Sequence, residues 1–588
     1  MASSNYLDLL HNRIDIDRVP FSDRGSRLLV YRQEGQSRLK VALAERLARL
    51  SRSYSAYRQR PPFVRDLEFV DEAGQALAWR VETDPHLLRF HTALGDFRLA
   101  FQDGQTLAFG LPGQRAAGLR FHVAPQDRQT EAQGGALRAV RDCVYASNRP
   151  ALTNLIVPDG DGFTVQMIVE PGGDATIVLA IGPDLGTIQE VPPFPATAKA
   201  AEARWRGWFD RVPPVAERLR QTYAYAWWVM AVNLLSPQGY IAYEAMTPSK
   251  IKYVGLWLWD SALHALAYRH ADIDLARNQL RAMLACQLPD GMLPDAIHDE
   301  GVVTTIDTPF HGTVTKPPIL AWAALKLHEA EPDPAFLREI YWPLVRWNAW
   351  WFGLNDDDAD GLAQYGHPYS SGLDDNPLWD FDMPAESPDL NTYLAIQMQA
   401  LAAMAEIMDL PEQAGTWRRR AAALVQRMVE DMWDQEAGLF RALDRHGRPV
   451  PVTTPFNLYP LWTGLVPDAM QRRLVGHLAD PRSFWGRYAL PSVARNDPRF
   501  DPATMWRGPV WANVNYFFVE ALEQAGERGL AQELRSKTLD LIMAHPSIYE
   551  YYHAETGEPP AAAADIYGWT AAVFIDLAIR ASREEVGS

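Results

Sequence analysis

The sequence predicts a multidomain protein in which an N-terminal antiparallel β-sandwich is followed by an all-α (α/α)6 toroid barrel. Three observations lead to this fold class. The chain has 588 residues, which is too long for one ordinary domain. Of its 20 tryptophans, Trp79 alone precedes residue 200. Near the same place the period of the apolar residues changes from the alternation of strands to the longer period of helices.

The first part of the chain reads as short strands. Segments such as "RLLVYRQ", "LEFVDEAGQALAWRVET" and "FTVQMIVEPGGDATIVLAIG" alternate β-forming residues and are broken by Gly, Asp and Asn. Strands at this spacing over residues 15–185 favour a sandwich of antiparallel sheets. We therefore expect a β-sandwich domain at residues 1–190. The Pro-rich stretch "VPPFPATAKA" then begins a linker and linker helix at residues 191–215.

Residues 216–588 are predicted to form the barrel, because about twelve amphipathic segments follow one another with alternating short and long loops. The segments are Val215–Ser236, Ser261–Arg269, Leu275–Cys286, Pro318–Glu329, Ala335–Trp351, Leu390–Met408, Glu412–Trp433, Pro455–Trp462, Asp468–Leu478, Trp511–Ala525, Leu530–Ala544 and Gly568–Ile579. Periodicity alone does not separate such a barrel from an α-solenoid. No short internal repeat is evident, which favours the closed barrel.

Composition excludes several classes of protein. The net charge of −17 argues against nucleic acid and anionic membranes as partners, since phosphates are bound by clustered Lys and Arg. Two cysteines, Cys143 and Cys286, cannot make a disulfide framework or a zinc cluster. The first 20 residues lack the basic start and apolar core of a signal peptide. We expect a cytoplasmic protein without cofactor or metal; whether it forms a homo-oligomer stays open.

The segment "YVGLWLWDSALH" (253–264) places Trp257, Trp259 and Asp260 just before a helix. An Asp in this position is most often an N-cap, whose side chain accepts from free N–H groups. The two tryptophans beside it give the segment a second interpretation, as part of a binding pocket.

The segment "YSSGLDDNPLWD" (369–380) gathers Asp374, Asp375 and Asp380 in a turn next to Trp379. Acids in turns commonly hydrogen-bond their own backbone, which explains any one of them singly. The tryptophan favours a binding site over a purely structural turn, because a flat apolar ring beside carboxylates is suited to a sugar. An apolar neighbour also raises the pKa of a carboxyl, as a general acid needs.

Two later segments complete the set. "MWRGPVWANVNYFF" (505–518) places Trp506, Arg507 and Trp511 at a helix start, where they either pack the helix entry or line a pocket. "IYEYYHAETGEPPAAAADIYGWT" (548–570) places Glu550 among tyrosines, with Tyr552 two residues later, and ends in "YGWT" at the start of the last predicted helix. Two opposed carboxylates without a metal, thiol or nucleotide motif are the minimal apparatus of glycoside hydrolysis.

Through five segments in chain order, residues 200–580 resemble the inverting (α/α)6 glycoside hydrolases of the family 63 and family 37 type. These include processing α-glucosidase I, trehalase and the mannosylglycerate/glucosylglycerate hydrolases. "SSGLDDNPLWD" is similar to the family segment that carries the general acid, which implies this role for Asp374. "YEYYHAETGE" likewise implies Glu550 as the general base. "WLWDSALH" implies that Trp259 and Asp260 grip the −1 sugar. "TVTKPPILAW" (313–322) and "WRGPVWANVNY" also match pocket segments.

Two positions depart from the family pattern. Ser370 replaces the glutamate of the trehalase-type "ESGWD" segment. Lys316 stands where the glycerate-glycoside hydrolases carry Gln, and fits the wider α-glucosidase pattern better. The resemblance therefore implies an inverting α-glycoside hydrolase acting on a small α-glucoside or related α-linked oligosaccharide.

The alternatives are a trehalase, a mannosylglycerate/glucosylglycerate hydrolase, or a catalytically silent carbohydrate-binding protein. The substrate is expected to contact Trp257, Trp259, Asp260, Lys316, Trp379, Trp506, Arg507, Trp511 and Tyr552.

Two acidic segments have no predicted catalytic role. "NDDDADGLAQY" places Asp356, Asp358 and Asp360 before Gly361, which is the front half of a calcium-loop pattern. Its twelfth position is His367 instead of an acid, so an acidic turn that ends a helix is the favoured interpretation, and calcium is left open. "DGMLPDAIHDEG" (290–301), which contains Asp295, is expected to shape a pocket loop.

Overall fold

The computed structural model describes residues 6–46, 61–124, 131–133 and 135–587. The other residues lie outside these ranges. Within the predicted first domain they are residues 1–5, which begin the segment considered for a signal peptide, and residues 47–60, 125–130 and 134. The chain divides into two compact units. The first contains most residues up to Val212 together with Ala231–Ser236, and the second contains Pro213–Met230 and Pro237–Ser588.

The first unit is built on two antiparallel sheets, which confirms the predicted β-rich region. Its strands are β1 Leu28–Arg32, β2 Leu39–Leu43, β3 Val64–Asp71, β4 Trp79–Asp84, β5 Leu87–Thr92, β6 Gly95–Asp103, β7 Thr106–Gly110, β8 Ala117–Val123, β9 Glu131–Gln133, β10 Ala136–Arg138, β11 Asp142–Ser147, β12 Ala151–Asp159, β13 Gly162–Val169 and β14 Thr176–Gly182. One sheet has the order β1-β2-β3-β8-β13-β12, and the other β4-β5-β6-β7-β14-β11-β10-β9.

Aromatic side chains join the two sheets. The ring of Phe69 on β3 lies 4.9 Å from Phe90 on β5 and 4.4 Å from Phe97 on β6, measured between centroids. All three side chains are buried. Alternation along each strand therefore turns one face of each sheet toward a shared apolar core.

Helix α1 (Phe194–Phe209) occupies the region predicted as a linker and linker helix. Its Phe194 is fully buried in one cluster with Ala100, Ala108 and Val178, which come from β6, β7 and β14. The helix is thus part of the first unit, because it buries an apolar face on the eight-stranded sheet.

The second unit is mainly helical, as predicted. Its helices are α2 Arg220–Val232, which ends in the first unit, then α3 Leu258–Tyr268, α4 Ile273–Leu284, α5 Leu320–Ala330, α6 Pro334–Leu354, α7 Pro388–Ile407, α8 Pro411–Asp431, α9 Asp468–Leu478, α10 Ala512–Gln524, α11 Arg528–Met543 and α12 Gly568–Gly587. None of the described helices is long and apolar enough to cross a membrane.

One predicted helical segment, Pro455–Trp462, forms a 3-10 helix, Pro455–Thr463, rather than an α-helix. Pro460 lies inside it and has no N–H to donate, so a regular α-helical ladder cannot form there. Gly464 ends it in the left-handed conformation.

Six of these elements contact one another in a cycle. Helix α3 contacts α5, α5 contacts α7, α7 contacts the 3-10 helix Pro455–Thr463, this helix contacts α10, α10 contacts α12, and α12 contacts α3. The helix that follows or precedes each member in the chain packs against it, as in the pairs α3–α4, α7–α8 and α10–α11.

Candidate functional site

A cavity lined by acidic and aromatic side chains lies in the second unit, and we call it the carboxylate cavity. Three carboxylates and one amine line it, namely Asp260, Asp374, Glu550 and Lys316. The tryptophans of its wall are Trp257, Trp259, Trp506, Trp511 and Trp569. The remaining lining residues are Pro248, Tyr253, Gly372, Met505 and Tyr567.

Asp374 is held in a tight turn between two short 3-10 helices, Pro368–Ser371 and Pro377–Asp380. Gly372 allows this turn, since its φ of +73° belongs to the left-handed region and a Cβ there would lie 2.5 Å from the Trp259 ring. The Asp374 side chain is half-buried at the cavity.

The environment of Asp374 favours its protonated form. Burial raises the pKa of Asp374 to about 7, and the neighbouring carboxylates of Asp295, Asp375 and Glu550 add to the effect. The ammonium of Lys316 opposes it without cancelling it. A carboxyl with this pKa carries its proton in a large fraction of molecules near neutral pH.

Glu550 reaches the cavity from the loop between α11 and α12 and is 1% exposed. Its Oε1 accepts a hydrogen bond of 2.7 Å from the Tyr253 hydroxyl, and its Oε2 accepts one of 2.9 Å from the Ala564 backbone N–H. The Lys252 ammonium lies 3.5 Å from Oε2. Contacts on both oxygens fix the orientation of this carboxylate.

The segment of Glu550 is placed beside the tryptophan wall by backbone pairing. The N–H and C=O groups of Val510 and Tyr552 exchange two hydrogen bonds, of 2.8 and 3.0 Å. This bridge holds the chain around Glu550 against the chain that begins α10. The sequence neighbours Trp511 and Tyr551 consequently stack, with ring centroids 4.6 Å apart.

Asp260 lies in the first turn of α3 but does not cap that helix, whose N-cap is Trp257. The carboxylate is 2% exposed, and within the described part of the chain its Oδ1 has no hydrogen-bond partner. Burial raises the pKa of Asp260 well above its ordinary value, against the opposing charge of Lys316. A buried acceptor left open at a cavity wall is suited to a ligand hydroxyl.

Lys316 is already engaged within the protein. Its Nζ lies 2.5 Å from Asp295 Oδ1 and also donates to the carbonyl of Tyr369. Burial alone would lower the pKa of Lys316, but the carboxylates of Asp295, Asp374 and Asp260 outweigh it, so the pKa is raised. The ammonium therefore stays charged, and its charge is balanced mainly by Asp295.

The tryptophans form a continuous apolar wall. The rings of Trp506 and Trp511 stack in parallel with centroids 3.7 Å apart. Trp259 meets Trp569 edge to face at 5.2 Å, and Trp511 meets Trp569 at 5.5 Å. A hydrogen bond joins the wall to the turn that carries Asp374 and Asp375, since the Trp506 backbone N–H donates to Asp375 Oδ1 over 2.8 Å.

The structure brings eight of the eleven residues predicted for the site into the lining of one cavity. Trp379, Arg507 and Tyr552 are outside that lining, and their contact with the substrate stays a prediction.

Two of these three brace the turn that carries Asp374. The Trp379 ring N–H donates to the Leu373 carbonyl over 3.0 Å, and the Arg507 guanidinium pairs with Asp380 at 2.6 Å. Tyr552 is buried, and its hydroxyl accepts from the Tyr549 N–H over 3.2 Å.

Sequence reasoning missed three large lining residues, Tyr253, Tyr567 and Trp569. Each stands within or next to a segment singled out by its aromatic content, but their spacing in the chain gives no sign that they face the cavity. Asp295, expected only to shape a loop, is the ion-pair partner of Lys316.

Comparison with known proteins assigns the chain to a family. Residues 253–570, more than half of the chain, match the family model described as the mannosylglycerate hydrolase MGH1-like glycoside hydrolase domain. The chain belongs to this family. It is a glycoside hydrolase, and its relatives are of the family 63 type, as the sequence resemblance implied.

Individual relatives agree with this assignment. The chain is 27% identical over 404 residues to the mannosylglycerate hydrolase of Thermus thermophilus, covering 56% of this chain and 95% of the relative. A crystal structure of a GH63 mannosylglycerate hydrolase from Thermus thermophilus in complex with glucose is 25% identical. It superposes with a TM-score of 0.52 over 60% of this chain and 99% of that one.

One further solved structure is similar in fold alone. The crystal structure of a bacterial glucoamylase complexed with acarbose is 11% identical and superposes with a TM-score of 0.59. It covers 96% of this chain and 93% of that one. The fold likeness thus reaches the β-rich region as well as the helical one.

Proposed function

We propose that this glycoside hydrolase inverts the anomeric centre of a small α-glucoside or related α-linked oligosaccharide, with Asp374 as acid and Glu550 as base. The observation that carries the proposal is that both carboxylates line one cavity in contrasting environments. Inverting hydrolysis needs one carboxylic acid that gives a proton and one carboxylate that takes a proton from water.

Asp374 is suited to the acid role. With a pKa of about 7, it holds a proton near neutral pH and gives it to the glycosidic oxygen as the bond to the leaving group breaks. Lys316 on the same wall then stabilises the carboxylate that remains.

Glu550 is suited to the base role. The Tyr253 hydroxyl and the Ala564 N–H hold its two oxygens, so the carboxylate is fixed before substrate arrives. The base takes a proton from the water that attacks C1 on the face opposite the leaving group.

The rest of the lining suits a pyranose in the −1 position. The open Oδ1 of Asp260 accepts from a sugar hydroxyl, which satisfies an acceptor that the protein leaves unpaired. Trp259, Trp506 and Trp511 supply an apolar wall for the C–H face of the ring.

A glycerate glycoside is the second candidate, because the Thermus thermophilus relative bears the name mannosylglycerate hydrolase. A glycerate group carries a negative charge and calls for an unbalanced cation. Among the described lining residues, Lys316 is the one cation, and Asp295 lies 2.5 Å from it. Charge balance therefore favours a neutral leaving group such as glucose, as in kojibiose, nigerose, maltose or trehalose.

We also propose that the helical unit is a closed (α/α)6 barrel and that the two sheets form a β-sandwich. The cycle of contacts from α3 through α5, α7, the 3-10 helix, α10 and α12 supports six inner elements. In an α-solenoid each repeat contacts only its neighbours in the chain, so the last helix does not contact the first.

The test is a proton NMR time course over a panel of α-linked glucosides and mannosides that includes both glycerate glycosides. Early release of the β-anomer, lost in Asp374→Asn and in Glu550→Gln, is the expected result and also names the linkage. Early release of the α-anomer would show retention and refute the two roles. Turnover that survives in both variants would place the chemistry elsewhere. Sugar binding without turnover of any substrate would support a silent binding protein.

A further inference from the structure

Asp295 is a buried carboxylate that pairs with the cation of the carboxylate cavity without lining the cavity itself. Its Oδ1 lies 2.5 Å from Lys316 Nζ, and the two residues are 3% and 5% exposed. Lys316 belongs to the cavity lining, and Asp295 does not. The pair therefore joins a residue that can reach the substrate to one behind the cavity wall.

Backbone contacts fix Asp295 beside the start of α3. Its N–H donates to the Val303 carbonyl over 2.9 Å, and its carbonyl accepts from the Leu258 N–H over 3.2 Å. The strand that follows it, Ala296–His298, pairs with Leu256–Trp257. These contacts on both sides set the position of the Asp295 carboxylate.

Lys316 contacts both the loop of Asp295 and the segment that leads into the turn of the proposed acid. The hydroxyl of the preceding residue, Thr315, donates to the Leu293 carbonyl over 2.7 Å. The Lys316 ammonium donates to the Tyr369 carbonyl. An ammonium has three N–H donors, and Asp295 and Tyr369 engage two of them.

Several carboxylates compete for this ammonium. The charges of Asp295, Asp374 and Asp260 all act on Lys316. Among the residues that the structure describes, Asp295 is the one carboxylate that forms an ion pair with it. An ammonium favours the ionised form of the carboxyl with which it pairs. An ion pair between Lys316 and Asp374 would therefore remove the proton that the proposed acid needs.

We propose that Asp295 is a positioning residue that keeps Lys316 as its own partner and so prevents an ion pair between Lys316 and Asp374. This inference rests on the acid role proposed for Asp374. The charge of Lys316 still acts on Asp374 through space, so it stabilises the carboxylate that forms once the proton has left.

The other groups near the pair do not take over this task. The titratable groups that face Asp374 or Lys316 are Tyr253, Asp260, Asp295, His367, Asp375, Glu550 and Tyr567. Burial lowers the pKa of His367, so this imidazole is uncharged near neutral pH. The remaining members of this set are acids, and none of them carries a positive charge. The partner of Lys316 therefore decides where the positive charge lies.

The first experiment is the pH profile of kcat/KM for Asp295→Asn, measured on the substrate that the NMR panel identifies. In the unmodified chain we expect kcat/KM to fall as pH rises through about 7. Asp295→Asn keeps the shape of the side chain and frees Lys316 for Asp374. The fall should then occur at least about one pH unit lower, with about a fivefold loss at pH 7 that shrinks at lower pH.

A second experiment needs no substrate. Asp374→Asn should raise the midpoint of thermal unfolding at pH 8 in the unmodified chain, because it removes an unfavourable buried charge. Combined with Asp295→Asn, the same substitution should lower the midpoint, because it removes the new partner of Lys316. This reversal of sign measures the exchange of partners directly.

Two variants serve as controls. Adding Lys316→Met to Asp295→Asn removes both charges and should return the fall in kcat/KM to within about half a pH unit of the unmodified chain. Asp299→Asn removes a carboxylate from the same loop, where it accepts from Gln238 over 3.3 Å, and should change neither readout. Asp295→Ser replaces Asp295→Asn if the latter does not fold.

Each other result counts against the inference. An unchanged pH profile in Asp295→Asn, or a stability cycle without a reversal of sign, would overturn it. So would an equal shift in Asp299→Asn, or a fall that stays at low pH in the variant that lacks both charges. If neither substitution of Asp295 folds, the residue serves stability and the positioning role is wrong. An active Asp374→Asn would refute the acid role itself, whereas an inactive one with an unchanged Asp295→Asn profile refutes this inference alone.

Discussion

Replacing Asp374 by Asn tests two properties of this residue with separate measurements: its proposed role as the acid and its effect on the stability of the fold. The substitution keeps the shape of the side chain and removes the acidic proton and the charge. We expect kcat to fall by at least about a thousandfold, because an amide cannot give the proton that the proposed acid gives to the leaving oxygen. We expect stability at alkaline pH to rise, because the ionised carboxylate is unfavourable in its present surroundings.

The magnitude follows from the pKa. Burial moves the pKa of Asp374 from an ordinary value near 3.8 to about 7. Each pKa unit corresponds to about 1.36 kcal/mol, so the full difference is about 4 kcal/mol. The side chain is half-buried and faces a cavity that admits water, which screens part of this energy. We therefore expect about 2 kcal/mol of stabilisation in Asp374→Asn at high pH.

The pH dependence has a definite sign. Because the folded pKa is raised above the unfolded one, the penalty is absent below pH 4, grows from pH 4 to pH 7, and is complete above pH 7. The midpoint of thermal unfolding of Asp374→Asn should exceed that of the unmodified chain at pH 8 and match it at pH 4. The rate kcat/KM of the unmodified enzyme should fall as pH rises through about 7, where the acid loses its proton.

Asp375→Asn provides the control, since it neutralises the adjacent carboxylate, which lies outside the cavity lining. It should retain more than about a tenth of the activity. An Asp374→Asn enzyme that keeps its activity would refute the acid role. A variant that is no more stable at pH 8 than at pH 4, relative to the unmodified chain, would refute the reasoning from burial.

Two further substitutions test how the site is held. Tyr253→Phe removes the 2.7 Å hydrogen bond to Glu550 and should lower kcat about tenfold with little change in KM; an unchanged kcat would contradict a positioning role. Gly372→Ala places a Cβ 2.5 Å from the Trp259 ring at a φ of +73° and should cost about 2 kcal/mol of stability and most of the activity. Gly447→Ala, at a φ of +68° with nothing within 4 Å of its Cβ, should cost less in thermal unfolding and leave activity intact, and equal losses in the two variants would exclude the clash as the cause.

Local sequence patterns predicted much of the fold. Alternation in residues 15–185 predicted the β-rich region, and amphipathic periods predicted the helices of the second unit, because both patterns reflect which side chains face a core. The sequence pattern did not predict that Pro455–Thr463 forms a 3-10 helix instead of an α-helix. Its apolar period is helical, while Pro460 changes the hydrogen bonding without changing the pattern.

The site divides in the same way. Side-chain chemistry and local aromatic content pointed to Asp374, Glu550 and Asp260, and all three line one cavity. Trp379 and Arg507 stand in segments of the same aromatic and charged composition, yet they contact the turn that carries Asp374 instead of lining the cavity. Which face of a turn a residue presents depends on contacts with distant segments.

By itself, the sequence determined the β-rich and helical regions, the family resemblance and the two carboxylates for which we propose opposed roles, because these depend on local order and on residue type. Only the tertiary structure decided how each carboxylate is surrounded. Burial and neighbouring charges raise the pKa of Asp374, and Tyr253 and Ala564 hold Glu550. Electrostatic environment depends on distances through space, and residues far apart in the chain supply most of it.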